Sequence, residues 1–136
     1  MALIEWTPAL ELGVEQMDRQ HRQLVRILNE LHQAMLAGSQ PRDLMRVMEE
    51  LLLYTKYHFT TEERLMAEAG YPGRKGHRRE HQGLTARVEE YADQVLKGRA
   101  SVSLSVLQFL KEWINGHLLG ADREFAEFVK ARSRAA

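Results

Sequence analysis

The sequence contains no cysteine among its 136 residues. Disulfide bonds, thiolate nucleophiles and zinc-thiolate sites are therefore excluded. An excess of charge of either sign is also missing, because 19 basic side chains balance 19 acidic ones and the formal net charge is zero. A balanced charge gives no electrostatic reason to expect nucleic acid or an acidic membrane as a partner, so we expect neither.

Long apolar runs are absent as well. No stretch of the sequence approaches the roughly 18 consecutive apolar residues that span a bilayer. The first 12 residues have neither the basic nor the apolar region of a signal peptide. We therefore expect a cytoplasmic protein with no membrane association. The chain length is that of one domain, which spans residues 1–136.

Signals for β-strands are also missing, since apolar and polar residues show no sustained alternation. Apolar residues recur at helical spacing instead. Short loops between long helices place neighbouring helices antiparallel. The sequence thus predicts an all-α, up-down-up-down antiparallel four-helix bundle with an N-terminal arm and a short C-terminal helix. The predicted bundle helices are residues 15–36, 42–69, 74–97 and 102–118, the arm is residues 1–14, and the last helix is residues 122–131.

Histidines and acids are present on the predicted inner faces of these helices, at spacings suited to metal binding. His58 precedes Glu62 by four residues, and His77 precedes His81 by four. Positions four apart differ by only about 40° around an α-helix, so each pair points toward one centre. His21, on the first helix, is a further candidate.

The pair His117 and Asp122 has a different spacing. Five residues rotate the two positions by about 140° on a straight helix. If both side chains bind the same centre, the helix must break or kink between them, near residues 119–121. Gly116 and Gly120 lie where such a break would be easiest.

Each of these features alone is weak evidence for a metal site, since a single core histidine is usually structural and HxxxE or HxxxH recurs by chance. His32 is such a case, because it lies about 16 Å along the helix from His21, and we expect it to be structural. Together, the candidates would need more buried hydrogen-bond partners than their Leu, Val, Phe, Ile and Trp neighbours offer. Seven ligands suit two ions with bridging carboxylates, and their chemistry fits iron. The candidates are His21, His58, Glu62, His77, His81, His117 and Asp122.

These motifs together resemble those of bacterial hemerythrins. The resemblance extends from Trp6 to about Phe125 and rests on four stretches: GVEQMDRQH (residues 13–21), HFTTEE (58–63), GYP with HRREH (70–72 and 77–81) and WINGHLLGAD (113–122). One departure is visible, because many relatives have a tyrosine where this chain has Phe125. The chain therefore lacks the hydroxyl group of that tyrosine, and we expect none of its roles here.

The resemblance implies two non-heme iron ions, bridged by Glu62, Asp122 and an oxo or hydroxo group. One ion would be bound by three histidines and the other by two, which leaves a position for O2 on the second ion. The histidines are His77, His81 and His117 for the first ion, and His21 and His58 for the second. The positions that match the family's O2 pocket are Leu24, Phe59, Trp113, Ile114 and Leu118.

The function implied by this resemblance is reversible O2 binding, for oxygen transport or storage, by a protein that is not an enzyme. The expected pocket has no acid or base that titrates near neutrality, so it withholds the proton that cleavage of the O–O bond needs. Two alternatives remain, an O2 or redox sensor domain of a signalling protein and a di-iron enzyme such as a weak peroxidase. A monomer is favoured, with O2 as its partner.

Overall fold

The computed structural model describes residues 2–97 and 104–135. No strand occurs within this part of the chain, and the all-α class expected from the sequence is confirmed. None of the helices described is long and apolar enough to cross a membrane. The five α-helices are α1 (Glu15–Leu36), α2 (Pro41–Ala69), α3 (Arg74–Leu96), α4 (Leu104–His117) and α5 (Arg123–Ala135), with a 3-10 turn at Pro8–Leu10 and a π-helical turn at Leu118–Asp122.

The turn between α2 and α3 places two parts of the candidate site opposite each other. Gly70 ends α2 in the left-handed conformation, with a φ of 65°, which glycine adopts without steric cost. Helix α3 begins only four residues later, so the two helices run antiparallel. As a result, Glu62 near the end of α2 lies 3.1 Å from the imidazole of His77 near the start of α3.

Apolar side chains from the helices fill the interior of the bundle. Leu28 and Leu31 of α1, Leu51 of α2, and Leu107 and Leu110 of α4 are all 0% exposed. Burial of such side chains stabilises the fold by roughly 25 cal/mol per Å² of apolar surface. The predicted start of the fourth helix, at residue 102, lies outside the described residues.

Two polar side chains of α1 fix the N-terminal arm to the bundle. The carboxylate of Asp18 accepts hydrogen bonds from the backbone N–H groups of Leu12, at 2.8 Å, and Gly13, at 3.0 Å. The side-chain amide of Asn29 accepts a hydrogen bond from the N–H of Ile4 and donates one to the carbonyl of the same residue. The arm therefore has fixed polar contacts that the sequence analysis did not identify.

The structure shows which irregularity lies between His117 and Asp122, where the sequence predicts a break or a kink. The backbone stays helical at both ends of this segment, and a π-helical turn at Leu118–Asp122 joins α4 directly to α5. The backbone hydrogen bond of a π-turn joins residues five apart, whereas that of an α-turn joins residues four apart. The π-turn therefore brings positions five apart onto one face of the helix. Neither Gly116 nor Gly120 has a positive φ, so no glycine breaks the helix.

Candidate metal centre

Seven polar side chains meet in the core of the bundle, and each is 7% exposed or less. Helices α1, α2, α3 and α4 and the π-helical turn all contribute to this cluster. Their nitrogen and oxygen atoms form two groups, and within each group all ligand atoms lie within 4.8 Å of one another. One group is Glu62, His77, His81, His117 and Asp122, and the other is His21, His58, Glu62 and Asp122.

The first group has the spacing of ligands around a single ion. Nε2 of His77 and Nε2 of His117 lie 2.9 and 3.0 Å from Oδ1 of Asp122, and Nε2 of His81 lies 3.0 Å from Nε2 of His117. Adjacent ligands of an octahedral ion, each at about 2.1 Å from it, are about 3.0 Å apart. The donor atoms are therefore already at the separation that a shared ion requires.

The second group is similar but has one imidazole fewer. Nε2 of His21 lies 3.1 Å from Oε2 of Glu62 and 3.0 Å from Oδ2 of Asp122. Nε2 of His58 lies 2.7 Å from Oε2 of Glu62, yet it makes no hydrogen bond of acceptable geometry with any described residue. A buried nitrogen that is close to an oxygen but not hydrogen-bonded to it suits a cation that contacts both atoms.

Both carboxylates divide their oxygens between the two groups. Oε1 of Glu62 faces His77, whereas Oε2 of the same residue faces His21. Oδ1 of Asp122 faces His77 and His117, whereas Oδ2 faces His21. Each carboxylate would therefore be able to offer one oxygen to each of two neighbouring ions.

Within the cluster, hydrogen bonds and neighbouring charges shift the pKa values in the direction opposite to the effect of burial. Burial lowers the pKa of His21 and His77, but hydrogen bonds and the charges of Asp122 and Glu62 outweigh it and raise each pKa to about 9. Burial raises the pKa of both carboxyl groups, but the surrounding histidines bring the pKa of Glu62 well below, and that of Asp122 below, its usual value. The cluster therefore favours positive charge among its two carboxylates.

Two imidazoles of the first group are held from behind by carboxylates. Nδ1 of His81 lies 3.2 Å from Oε2 of Glu63, and Nδ1 of His117 lies 2.7 Å from Oε1 of Glu80. A neutral imidazole that donates its Nδ1 hydrogen has only a lone pair left at Nε2. The two Nε2 atoms face each other at 3.0 Å, so two such lone pairs would repel each other unless a proton or a metal ion is shared between them.

The second group has neutral surroundings at the same positions. Nδ1 of His58 lies 2.8 Å from Oε1 of Gln20, whose amide donates to the hydroxyl group of Thr61. Nδ1 of His21 is buried and has no hydrogen-bond partner among the described residues. None of the three Nδ1 partners was predicted from the sequence, although each one directly adjoins a candidate ligand there.

A small cavity lies beside the second group. Its volume is about 10 Å³, so it holds about one small molecule. His21, His58, His117 and Asp122 form its polar part. Its apolar lining consists of Leu24, Phe59, Trp113, Ile114 and Leu118, the five side chains that the resemblance assigned to an O2 pocket.

The family model for the hemerythrin HHE cation binding domain matches residues 12–129. The chain belongs to this family. It is 37% identical to a bacteriohemerythrin of Stenotrophomonas maltophilia over 96% of the chain and 84% of that protein. It is 28% identical to a bacteriohemerythrin of Methylococcus capsulatus over 96% of the chain and 100% of that protein. A crystal structure of wild-type hemerythrin superimposes with a TM-score of 0.87 at 26% identity, covering 93% of this chain and 97% of that one.

Membership of the hemerythrin family supports O2 binding at a di-iron centre, and the buried cluster of histidines and carboxylates suits this centre. Proteins of this family bind O2 rather than act as enzymes. The similarity to bacteriohemerythrins does not favour the alternative of a sensor domain.

Two residues that were considered from the sequence, His32 and Phe125, lie outside the cluster of seven polar side chains. His32 belongs to neither group of ligand atoms. Phe125 follows the π-helical turn, is 1% exposed and packs its ring 5.0 Å from that of Tyr71. Its side chain therefore serves the apolar core, where the hydroxyl group of a tyrosine would have to find a partner.

Proposed function

We propose that the seven buried side chains hold two iron ions and that this centre binds O2 reversibly, for oxygen transport or storage. The observation that supports this proposal most directly is the division of the oxygens of Glu62 and Asp122 between the two groups of histidines. When bound, the two ions would supply the electrons that reversible O2 binding requires. The proposed ligands are His77, His81 and His117 for one ion, His21 and His58 for the other, and Glu62 and Asp122 for both.

The place of O2 follows from the count of ligands. The first group offers three imidazoles and two carboxylate oxygens, whereas the second offers two imidazoles and two carboxylate oxygens. An ion in the second group therefore has more of its coordination sphere free of protein. The cavity beside His21 and His58 lies on this side of the cluster and has space for a small molecule.

The apolar lining of the cavity determines which chemistry the chain allows there. Leu24, Phe59, Ile114 and Leu118 are each 5% exposed or less, and none can donate a proton. They exclude water and withhold the proton that breaking an O–O bond requires. We therefore propose that release of intact O2 prevails over its reduction and that enzymatic turnover is minor.

The setting in which the protein acts is also part of the proposal. We propose a monomer in the cytoplasm. We also propose that it has neither nucleic acid nor a membrane as a partner, because the chain has no excess of charge to attract either one. The similarity to bacteriohemerythrins supports transport or storage over sensing.

Metal analysis and spectroscopy test this function. Protein loaded with iron should contain about two irons per chain, and the absorption spectrum of its ferrous form should change in air and revert when O2 is removed. His81→Ala should lower the iron content, because it removes a proposed ligand. The matched control is His32→Ala, which removes a histidine outside both groups and should leave two irons. One zinc per chain, or a spectrum that never reverts, would contradict the proposal.

A further inference from the structure

The two groups of histidines differ in what lies behind their imidazoles. In the group of His77, His81 and His117, here called the three-histidine group, two Nδ1 atoms face carboxylates, at 3.2 Å from Glu63 and 2.7 Å from Glu80. In the group of His21 and His58, here called the two-histidine group, one Nδ1 atom faces the neutral amide of Gln20 and the other has no hydrogen-bond partner among the described residues.

We infer that Glu63 and Glu80 are positioning residues that make the three-histidine group the stronger of the two metal sites, so that it is loaded first. The inference rests on the proposed function, because it takes the histidines of both groups as ligands. Neither glutamate belongs to either group of candidate ligand atoms. Both would act through the imidazoles in front of them.

The first physical reason is the electron density of the imidazole. A carboxylate that accepts the Nδ1 hydrogen fixes the tautomer and orientation of the ring and makes Nε2 a stronger donor toward a metal. The carboxylates of Glu63 and Glu80 do this for His81 and His117, whose Nε2 atoms lie 3.0 Å apart. A neutral amide such as that of Gln20 also fixes the ring but adds less electron density, because it carries no charge.

The second reason is the free-energy cost of holding a negative charge behind the imidazoles, which depends on how exposed that charge is to water. The side chains of Glu63 and Glu80 are 28% and 45% exposed, so water offsets part of the cost of their negative charge, while His81 and His117 are buried. Gln20 is 4% exposed, and a charge at its position would lack this compensation. The fold therefore adds negative charge behind the three-histidine group and keeps the surroundings of the two-histidine group neutral.

The orientation of His81 has a further support. The ring of Phe59 stacks on that of His81, with the ring centres 3.7 Å apart and the planes within 4°. This contact and the hydrogen bond to Glu63 fix the imidazole from two directions before any ion arrives. A ligand that is already oriented loses less conformational freedom when it binds, so its contribution to affinity is larger.

The test is a titration of metal-free protein with Co²⁺ under argon, followed by calorimetry and by the visible absorption of the bound ion. Two ions at adjacent sites repel each other, so unequal steps in the unmodified protein do not by themselves test the inference. The comparison of variants does. Glu80→Gln and Glu63→Gln keep a hydrogen-bond acceptor but remove the charge. Each should weaken the first equivalent of Co²⁺ roughly 10- to 100-fold and alter its absorption bands.

Two further variants control for general effects. Glu89→Gln removes an exposed carboxylate of the same helix, α3, whose partner is Lys56 at 2.9 Å, so it should leave both binding steps unchanged. Glu80→Ala removes both the charge and the acceptor, so it should weaken the first step more than Glu80→Gln does.

The outcomes separate the inference from the proposed function. If the unmodified protein binds two Co²⁺ and Glu63→Gln and Glu80→Gln bind both within twofold of its affinities, the inference is wrong and the proposed function stands. If the unmodified protein binds fewer than two Co²⁺, the ligand assignment itself is wrong. Far-UV circular dichroism of each metal-free variant shows whether it is folded, and both glutamates are partly exposed, so folded proteins are expected.

Discussion

Ile114 and Leu118 are apolar side chains that line the cavity beside His21 and His58. We expect Leu118→Ala and Ile114→Ala to speed conversion of the oxygenated protein to the ferric form, because a wider cavity admits water and with it a source of protons. Stopped-flow mixing with O2 and absorption spectra over hours measure both the oxygenation and the autoxidation rates. Leu118→Glu should go further and block O2, because its carboxylate would compete for the free position.

A matched control separates access from packing. Leu107 is also on α4 and is 0% exposed, but it does not line the cavity. Leu107→Ala should cost the roughly 2–5 kcal/mol typical of a buried leucine and leave the rates of oxygenation and autoxidation unchanged. If Leu118→Ala loses only stability in the same way, the side chain has a packing role alone.

At the level of secondary structure, the π-helical turn is the element on which the site depends most. Insertion of one alanine after Gly120 should lengthen the step from His117 to Asp122 by one residue and rotate Asp122 by about 100° relative to His117. The carboxylate would then leave both groups of histidines. We expect the insertion variant to bind much less iron than the unmodified protein, as measured by elemental analysis, while circular dichroism still shows a helical protein.

The substitution Gly120→Ala is the corresponding control. A Cβ atom added at this glycine meets nothing within 4 Å, and its φ is not positive. Alanine should therefore keep the π-helical turn and the iron content, and it should raise the free energy of unfolding by up to about 1 kcal/mol, because glycine is a poor helix former. Full iron content in the insertion variant would show that the turn does not position Asp122.

For the molecule as a whole, the proposed metal ions should contribute to stability as well as function. Removal of the ions leaves Glu62 and Asp122 buried at 0% and 1% exposure among histidines that must take up protons instead. We therefore expect the iron-free protein to melt at a lower temperature than the iron-loaded protein in calorimetry. Equal melting temperatures at the same pH would argue against metal ligation by the cluster.

The stability of the iron-free protein should also depend on pH. The pKa of His21 and that of His77 are raised from 6.5 to about 9, so the stability they contribute is complete below pH 6.5 and is lost as the pH rises toward 9. The lowered pKa values of Glu62 and Asp122 act in the opposite sense, because their contribution is lost as the pH falls below their usual values.

The melting temperature of the iron-free protein should therefore be highest between about pH 4.5 and 6.5 and should fall toward pH 9. His21→Gln should reduce the fall on the alkaline side. His32→Gln, which alters a histidine outside the cluster, should leave it unchanged. A melting temperature that rises between pH 6.5 and 9 would contradict the assigned charges.

The sequence by itself determined the fold class and the candidate ligands of this protein. The helical period of its apolar residues is a local property of the chain, so an all-α fold could be predicted from it. The i, i+4 spacing of His58 with Glu62 and of His77 with His81 is equally local. It predicted that each pair faces one centre, and the structure brings all four side chains into the cluster.

Only the tertiary structure decided how the pieces meet. The spacing of His117 and Asp122 predicted an irregularity but could not distinguish a break from a π-helical turn, because both reconcile a five-residue step with one centre. The contacts of Glu63 and Glu80 with imidazoles of other helices depend on distances across the bundle. The division of the oxygens of Glu62 between two groups of histidines also depends on distances across the bundle. Sequence spacing specifies a face of a helix but not what lies opposite that face.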